Sequence, residues 1–423
     1  MRRIKVITIV GTRPEGIKMA PVIRELKRRA AVFEQVIATT AQHREMLDQV
    51  LSMFGLEPDV DLGLMQHDQD LISFASRALS RLSDLLRNVS PDVVLIQGDT
   101  TTVLTAALAA SYHGVCVGHV EAGLRSFDRS EPFPEEINRR VAGCLADFHF
   151  APTEGARLNL LREGVADDDI FVTGNTIVDA LRSVPLEGPI EDKALNQIDF
   201  GSRRILLVTA HRRENHGAPL RSICRALKRL AQCFDDIEIV YPVHLNPNVS
   251  LVVQDVLDGT DRVHLIKPVS YHDLLRLMHR CHFILTDSGG IQEEAPSLGK
   301  PVLVLRQSTE RPELIKVGAG KLIGTDTMRI VAEATSLLSD PAEYHRMSNA
   351  GNPFGDGHAA ERIVYLLEKH LYKRKGWVPA ADLRSHRPMP SERSATSRLL
   401  NYQAPNESDT TLPVDADLCN ITD

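Results

Sequence analysis

The sequence predicts an α/β protein made of two doubly wound parallel sheets, and three observations predict it. Short apolar runs such as Ile4 to Val10, Val93 to Ile96 and Phe283 to Thr286 alternate with stretches of helical periodicity, the pattern of buried parallel strands joined by helices. That rhythm runs to about Gly174, passes through a polar connector from Pro185 to Gly201, and starts again at Arg204. Polar and charged clusters recur just past the apolar runs, at the sheet edge where open α/β proteins bind ligands.

At 423 residues the chain is long enough for two or more domains, and 43% hydrophobic with 25% charged residues is an ordinary globular balance. A net charge of −7 argues against nucleic acid or an anionic membrane surface as partner. No run approaches the ~18 apolar residues of a spanning helix, and the N-terminus enters a strand without a signal cleavage pattern, so the expected location is cytoplasmic. Six cysteines without a CxxC pair read as reduced thiols rather than disulfides or a zinc site.

Taken in order, Ile4 to Val10 is a buried strand, followed by the loop Gly11 to Gly16 and a helix to about Arg29. Strand, glycine loop and helix form a phosphate-cradling layout, although Ile17 between Gly16 and Lys18 rules out a Walker A loop. Arg13 and Lys18 are its candidate anion ligands. A second strand, Gln35 to Thr40, leads to Gln42 and His43, and a helix spans Leu71 to Asn88. Val93 to Ile96, the Ala/Leu-rich stretch Thr100 to His113 and Val115 to Val120 make a strand, helix, strand unit.

That unit places Asp99 and Glu121 on one rim of a parallel sheet, and Glu135 reaches the same region by the Pro-bracketed loop Pro132 to Pro134 before a helix. Each acid has a plain structural reading, since helix starts favour carboxylates as caps and against the dipole. Three converging acids weigh against caps alone, but spacing by itself does not identify a reaction.

A strand at Phe148 to Ala151 completes the first layer, read as residues 1–174. The second layer, 175–357, carries strands at Arg204 to Thr209, Ile237 to Val240, Val263 to Ile266, Phe283 to Thr286 and Pro301 to Leu305. His211 lies just past one of these strands, and Ser288, Gly289 and Gly290 lie just past another. The Ser-Gly-Gly turn into a helix suits a phosphate, and Glu294 one turn on is placed for ribose hydroxyls. His244 reads as an ordinary loop histidine. A helix at 358–374 is expected to close the second layer, and 375–423, rich in Ser, Pro, Asn, Asp and Arg without periodicity, reads as disordered.

Together the motifs Gly11 to Glu15, Gln97 to Thr100, His119 to Arg125, Pro134 to Glu136, His211 to Glu214, Thr286 to Glu294 and Glu310 to Glu313 resemble the bacterial, non-hydrolysing UDP-N-acetylglucosamine 2-epimerases. The resemblance covers about residues 4 to 372. It implies the GT-B arrangement of two facing Rossmann-like domains with a cleft between them, and reversible conversion of UDP-GlcNAc to UDP-ManNAc without cofactor or metal. It assigns Asp99, Glu121, Glu135 and His211 to catalysis, and Arg13, Lys18, Ser288, Gly289, Gly290, Glu294 and Arg311 to the UDP-sugar. It further implies a homodimer and a second UDP-GlcNAc acting as activator near Gln42, His43 and Gln66.

The sequence departs from the family at several points. Leu274 stands where an aromatic often packs on uracil, which removes stacking of ~1 to 3 kcal/mol. Gln66 to Gln69, Arg129 to Glu131 and Gln307-Ser308 also differ from the usual residues.

Overall fold

A computed structural model describes residues 2–40, 44–65, 70–195, 198 and 200–375. The expectations for Gln42, His43, Gln66 and the tail from residue 376 onwards fall outside these residues.

Among the described residues the first layer is a parallel sheet of β1 (Ile4–Val10), β2 (Phe33–Thr39), β3 (Val60–Asp61), β4 (Val93–Gln97), β5 (Cys116–Val120), β6 (Phe148–Ala151) and β7 (Ile170–Val172), in the order β3-β2-β1-β4-β5-β6-β7. The second contains β8 (Arg204–Thr209), β9 (Ile237–Pro242), β10 (Val263–Ile266), β11 (Phe283–Thr286), β12 (Val302–Val304) and β13 (Gly320–Leu322), in the order β10-β9-β8-β11-β12-β13. Central strands such as β4 are buried along their whole length, because helices cover both sheet faces; this is why they read as continuous apolar runs.

In each sheet the strand order reverses beside the first strand, between β1 and β4 and between β8 and β11. Such reversals splay the crossover helices apart at the carboxyl edge and leave a crevice for ligand. Gly11 and Asp99 lie just beyond the first reversal, and His211 and Asp287 just beyond the second.

The first glycine loop is shorter than its sequence suggested. The helix Arg13–Arg28 begins directly after Thr12, with a proline in its first turn, where a missing N–H is tolerated. Gly16 is therefore helical; a Cβ there would lie 2.7 Å from the Leu47 side chain, so close helix packing explains the glycine.

The chain passes between the layers at Gly174 and returns at Gly355. Both residues have left-handed φ, 89° and 135°, and a Cβ on either would meet the other's main chain at 3.3–3.4 Å. Asn175 N donates to Phe354 O at 2.6 Å across this crossing. The last helix, Ala359–Lys375, does not close the second layer as expected; it packs on the first. Glu368 pairs with Arg29, and the His370 ring meets Phe171 edge-on at 4.8 Å. Asp179, in the helix Thr176–Arg182, accepts from Ala359 N and Ala360 N at 3.2 and 2.8 Å, which fixes the returning helix start. Its apolar residues, Ile363, Val364, Leu367 and Leu371, are buried in a core shared with residues of both layers. No described helix is long and apolar enough to cross a membrane.

Candidate active site

Asp99 follows β4 through Gly98, whose φ of 81° turns the chain sharply. The cap of the next helix is Thr100, which accepts from Val103 N at 3.4 Å, so the Asp99 carboxylate is not used as a cap. It instead accepts from Arg139, with Nε at 3.1 Å, while Asn138 Nδ2 donates to Asp99 O at 2.9 Å. Buried His119 donates from Nε2 to Gly98 O at 2.7 Å. Burial pushes its pKa down to about 4, so the ring is neutral and serves as a fixed strut for this turn.

Glu135 heads the helix Glu135–Leu145. Burial raises its pKa, the charge of Asp99 raises it further, and Arg212 and Arg139 oppose the rise. Asp99 and Glu135 therefore share one electrostatic neighbourhood. The adjacent Glu136 is fully buried and holds the preceding loop, accepting from Ser126 N at 3.0 Å and Phe127 N at 3.3 Å.

Glu121 stands apart from this pair. It has left-handed backbone, φ 65°, a conformation that costs a non-glycine residue energy and persists where the surroundings enforce it. Its carboxylate meets Lys18 Nζ and accepts from Asn175 Nδ2 at 3.0 Å. Lys18 Nζ also lies 2.7 Å from Glu293 of the second layer. Arg311 donates to Glu293 from Nε at 2.8 Å and stands 3.2 Å from Glu310; Arg306 reaches Glu310 at 2.9 Å and Glu214 at 2.5 Å. The result is a chain of buried, alternating charges joining both sheets. Of the three acids, Asp99 and Glu135 act on each other electrostatically, and Glu121 is held by Lys18.

Protonation in this chain is uneven. Burial raises the Glu121 pKa, Lys18 only partly offsets it, and the charge of Glu293 adds to the rise. For Glu293 burial also raises the pKa, but Lys18 and Arg311 together outweigh it and hold the group ionised. Glu121 is therefore the carboxyl here best poised to exchange a proton.

On the second layer, buried Asp287 organises the loop after β8 by accepting from His211 N, Arg212 N and Asn215 Nδ2, each at 2.9 Å. The His211 ring stacks on His244 at 5.4 Å and lies 3.6 Å from Asp287. Burial lowers the His211 pKa, Asp287 opposes this, and His244, Arg212 and Arg13 add to the lowering. Sequence reading gives His244 only as a weak candidate, because nothing local marks a loop histidine as the partner of another.

The helix Gly289–Glu294 starts directly after Ser288, whose side chain makes no capping bond. A Cβ on Gly289 would lie 2.6 Å from Arg311 Cζ, whereas one on Gly290 would meet nothing nearer than Ser288 Oγ at 4.0 Å. Gly289 is thus fixed by the guanidinium packed behind it, and Arg311 backs the turn with its donors directed to Glu293 and Glu310. Glu294 accepts from Tyr271 OH at 2.9 Å, and burial pushes its pKa up to about 7. The charge of Arg13 bears on His211, Tyr271 and Glu294, placing this first-layer residue opposite the second-layer turn.

Gly289→Ala is expected to lower stability by about 1–3 kcal/mol, the usual cost of overpacking, while Gly290→Ala in the same helix leaves it unchanged or higher. Parallel denaturant titrations of the two variants check this; equal stabilities would contradict the packing argument.

With this geometry in place, comparison with known proteins is informative. The sequence model of one family, described as UDP-N-acetylglucosamine 2-epimerase, matches residues 24–368. The chain belongs to the UDP-N-acetylglucosamine 2-epimerase family. The UDP-N-acetylglucosamine 2-epimerase of Bacillus subtilis is 51% identical over 375 residues, covering 89% of this chain and 98% of the relative. The crystal structure of the UDP-GlcNAc 2-epimerase from Neisseria meningitidis bound to UDP-GlcNAc is 47% identical with a TM-score of 0.82, covering 86% of this chain and 100% of that one. The UDP-GlcNAc 2-epimerase of Methanocaldococcus jannaschii, in complex with UDP-GlcNAc and UDP, is 36% identical with a TM-score of 0.75, covering 86% and 100%. The two Rossmann-like layers are the GT-B-like architecture of these epimerases.

Proposed function

We propose that this chain interconverts UDP-GlcNAc and UDP-ManNAc reversibly and without net hydrolysis. The observation that carries the reading is Glu121: a strained carboxyl of raised pKa at a sheet edge, held by Lys18 across from a glycine turn suited to phosphate. Bound UDP-GlcNAc in the Neisseria relative, and UDP-GlcNAc with UDP in the Methanocaldococcus relative, support the ligand class.

The chemistry follows from the sugar. Its C2 hydrogen is not beside a carbonyl, so simple deprotonation gives an unstabilised carbanion. Breaking the C1–O bond to UDP places positive charge on C1 as a carboxylate removes the C2 proton, giving 2-acetamidoglucal and UDP. Protonation of C2 from the opposite face and return of the UDP oxygen to C1 complete the inversion. This needs carboxyls able to take and give protons, and fixed charge for the departing pyrophosphate.

In this reading Glu121 and Glu135, both of raised pKa, handle the protons. Asp99, fixed by Arg139, tunes Glu135. Arg13, the Ser288 to Gly290 turn and neutral His211 face the pyrophosphate, with Arg311 supporting the turn from behind. Glu294, with Tyr271, takes the ribose. Contacts between the layers, including Thr153 Oγ1 donating to Glu313 at 2.7 Å and Lys18 bridging to Glu293, favour a closed cleft that keeps water from the glucal. The proposal extends to a cytoplasmic homodimer supplying cell-surface polysaccharide precursors, with a second UDP-GlcNAc bound near Gln42, His43 and Gln66 as activator.

The test is the product mixture from UDP-GlcNAc. Accumulation of UDP-ManNAc to equilibrium with negligible free UDP is expected; stoichiometric ManNAc plus UDP would replace this reading with a hydrolysing epimerase.

A further inference from the structure

Glu293 is the least expected member of the site. It belongs to the helix Gly289–Glu294, between the glycine turn proposed for phosphate and the carboxyl proposed for ribose, yet its own carboxylate is taken up by two cations. It is 1% exposed and spans two cations: Lys18 of the first layer at 2.7 Å, and Arg311 of the second at 2.7 Å. Lys18 in turn touches Glu121. A single ammonium group therefore bridges one carboxylate from each layer.

We propose that Glu293 is a positioning residue that sets the charge state of Glu121 through Lys18, tying the proton-transfer group to docking of the nucleotide-binding layer. This rests on the reading of Glu121 as an acid/base group. With the layers apart, Lys18 serves Glu121 alone and favours its ionised form. With the layers together, Lys18 is shared between two carboxylates and Glu121 feels the negative charge of Glu293, so it holds a proton more readily. The ability of Glu121 to return a proton to C2 is then greatest when the cleft is closed on the sugar nucleotide.

The charged groups facing Glu121 are Lys18, Glu293 and Arg311, and Asn175 adds a neutral donor. Those facing Glu293 are Lys18 and Arg311, beside the Glu121 charge, and Glu294 on the same helix also feels the Glu293 charge. Of these, Glu293 alone opposes ionisation of Glu121, so removing its charge has a predictable sign.

The experiment is the pH dependence of kcat for epimerisation by this chain, which reports groups in the substrate complex. Glu293→Gln is expected to move the alkaline limb of the profile, where Glu121 loses its proton, to lower pH by about one unit, while Glu293→Asp, which retains the charge, restores the limb towards wild type. Arg311→Gln removes a cation that favours ionised Glu121 and is expected to move the limb to higher pH; it decides the matter should Glu293→Gln not fold. A limb unmoved in these variants, with only melting temperature changed, overturns the proposal in favour of a purely structural ion pair. Absence of epimerisation by the wild-type protein would instead reject the proposed function itself, so the two failures are distinct.

Discussion

Glu121→Gln is expected to lower kcat by about 10³-fold, within the range lost with a general acid/base group, while UDP affinity changes only a few-fold. The amide is isosteric, retains an oxygen to accept from Asn175, and occupies the same left-handed backbone. Lys18 keeps Glu293 as its anionic partner, so the fold of the cleft is preserved. The nucleotide turn at Ser288 to Gly290 is on the other layer. Steady-state kinetics with calorimetric titration of UDP separate the two effects. Turnover near wild type would remove Glu121 from the chemistry.

Arg306→Leu is expected to have the largest effect on stability, about 3–5 kcal/mol, the loss seen when one partner of a buried ion pair is removed. The Arg306 side chain is 2% exposed and serves Glu310 at 2.9 Å and Glu214 at 2.5 Å. Without it Glu214 loses this partner, and Glu310 retains Arg311 with the charge of Arg212 nearby. The pH dependence has a definite sign. Burial alone raises the Glu310 pKa, but Arg311 and Arg306 outweigh it and hold the group well below the usual carboxylate range. A carboxylate depressed in this way contributes stability above its unfolded pKa, near 4.5, and that contribution is lost as pH falls towards the folded value. The stability gap between wild type and Arg306→Leu should therefore be widest near pH 7 and narrow below about pH 4.5. Denaturant titrations at both pH values test it; a gap below about 1 kcal/mol at pH 7, typical of exposed pairs, would show that the chain of charges carries little energy.

Much of the architecture was legible because β1, β4, β5, β8 and β11 are buried on both faces and so read as unbroken apolar runs. The short edge strands β3, β7 and β13, of two or three residues each, are too brief to show a period and were not expected. Gly11 to Gly16 resembled a loop, but Gly16 was selected by helix packing against Leu47. The final helix carries an apolar face that sequence cannot assign to one layer or the other; Asp179, just past the crossing, fixes its start, and Arg29 of the first layer fixes its middle through Glu368.

The candidate site divides in the same way. Residues directly after apolar runs, such as Asp99, Glu121 and His211, were found because strand ends locate them. Arg139, Asn175, Glu293 and Arg306 were not, because their importance comes from partners distant in sequence. Glu293 sits beside Glu294 and shares its composition, and only the approach of Lys18 from the other layer separates their roles. Strand ends place Glu121 and Asp99 on one rim, but the left-handed turn at Glu121 directs it to Lys18 and leaves Asp99 with Glu135.

The most direct test of the central claim is epimerisation of UDP-GlcNAc in deuterium oxide, followed by mass spectrometry and NMR of the product. Removal of the C2 proton and return of another from solvent-exchangeable carboxyls requires one deuterium at C2 of the UDP-ManNAc formed. UDP-ManNAc carrying only protium at C2, or complete absence of the epimer, would contradict the account.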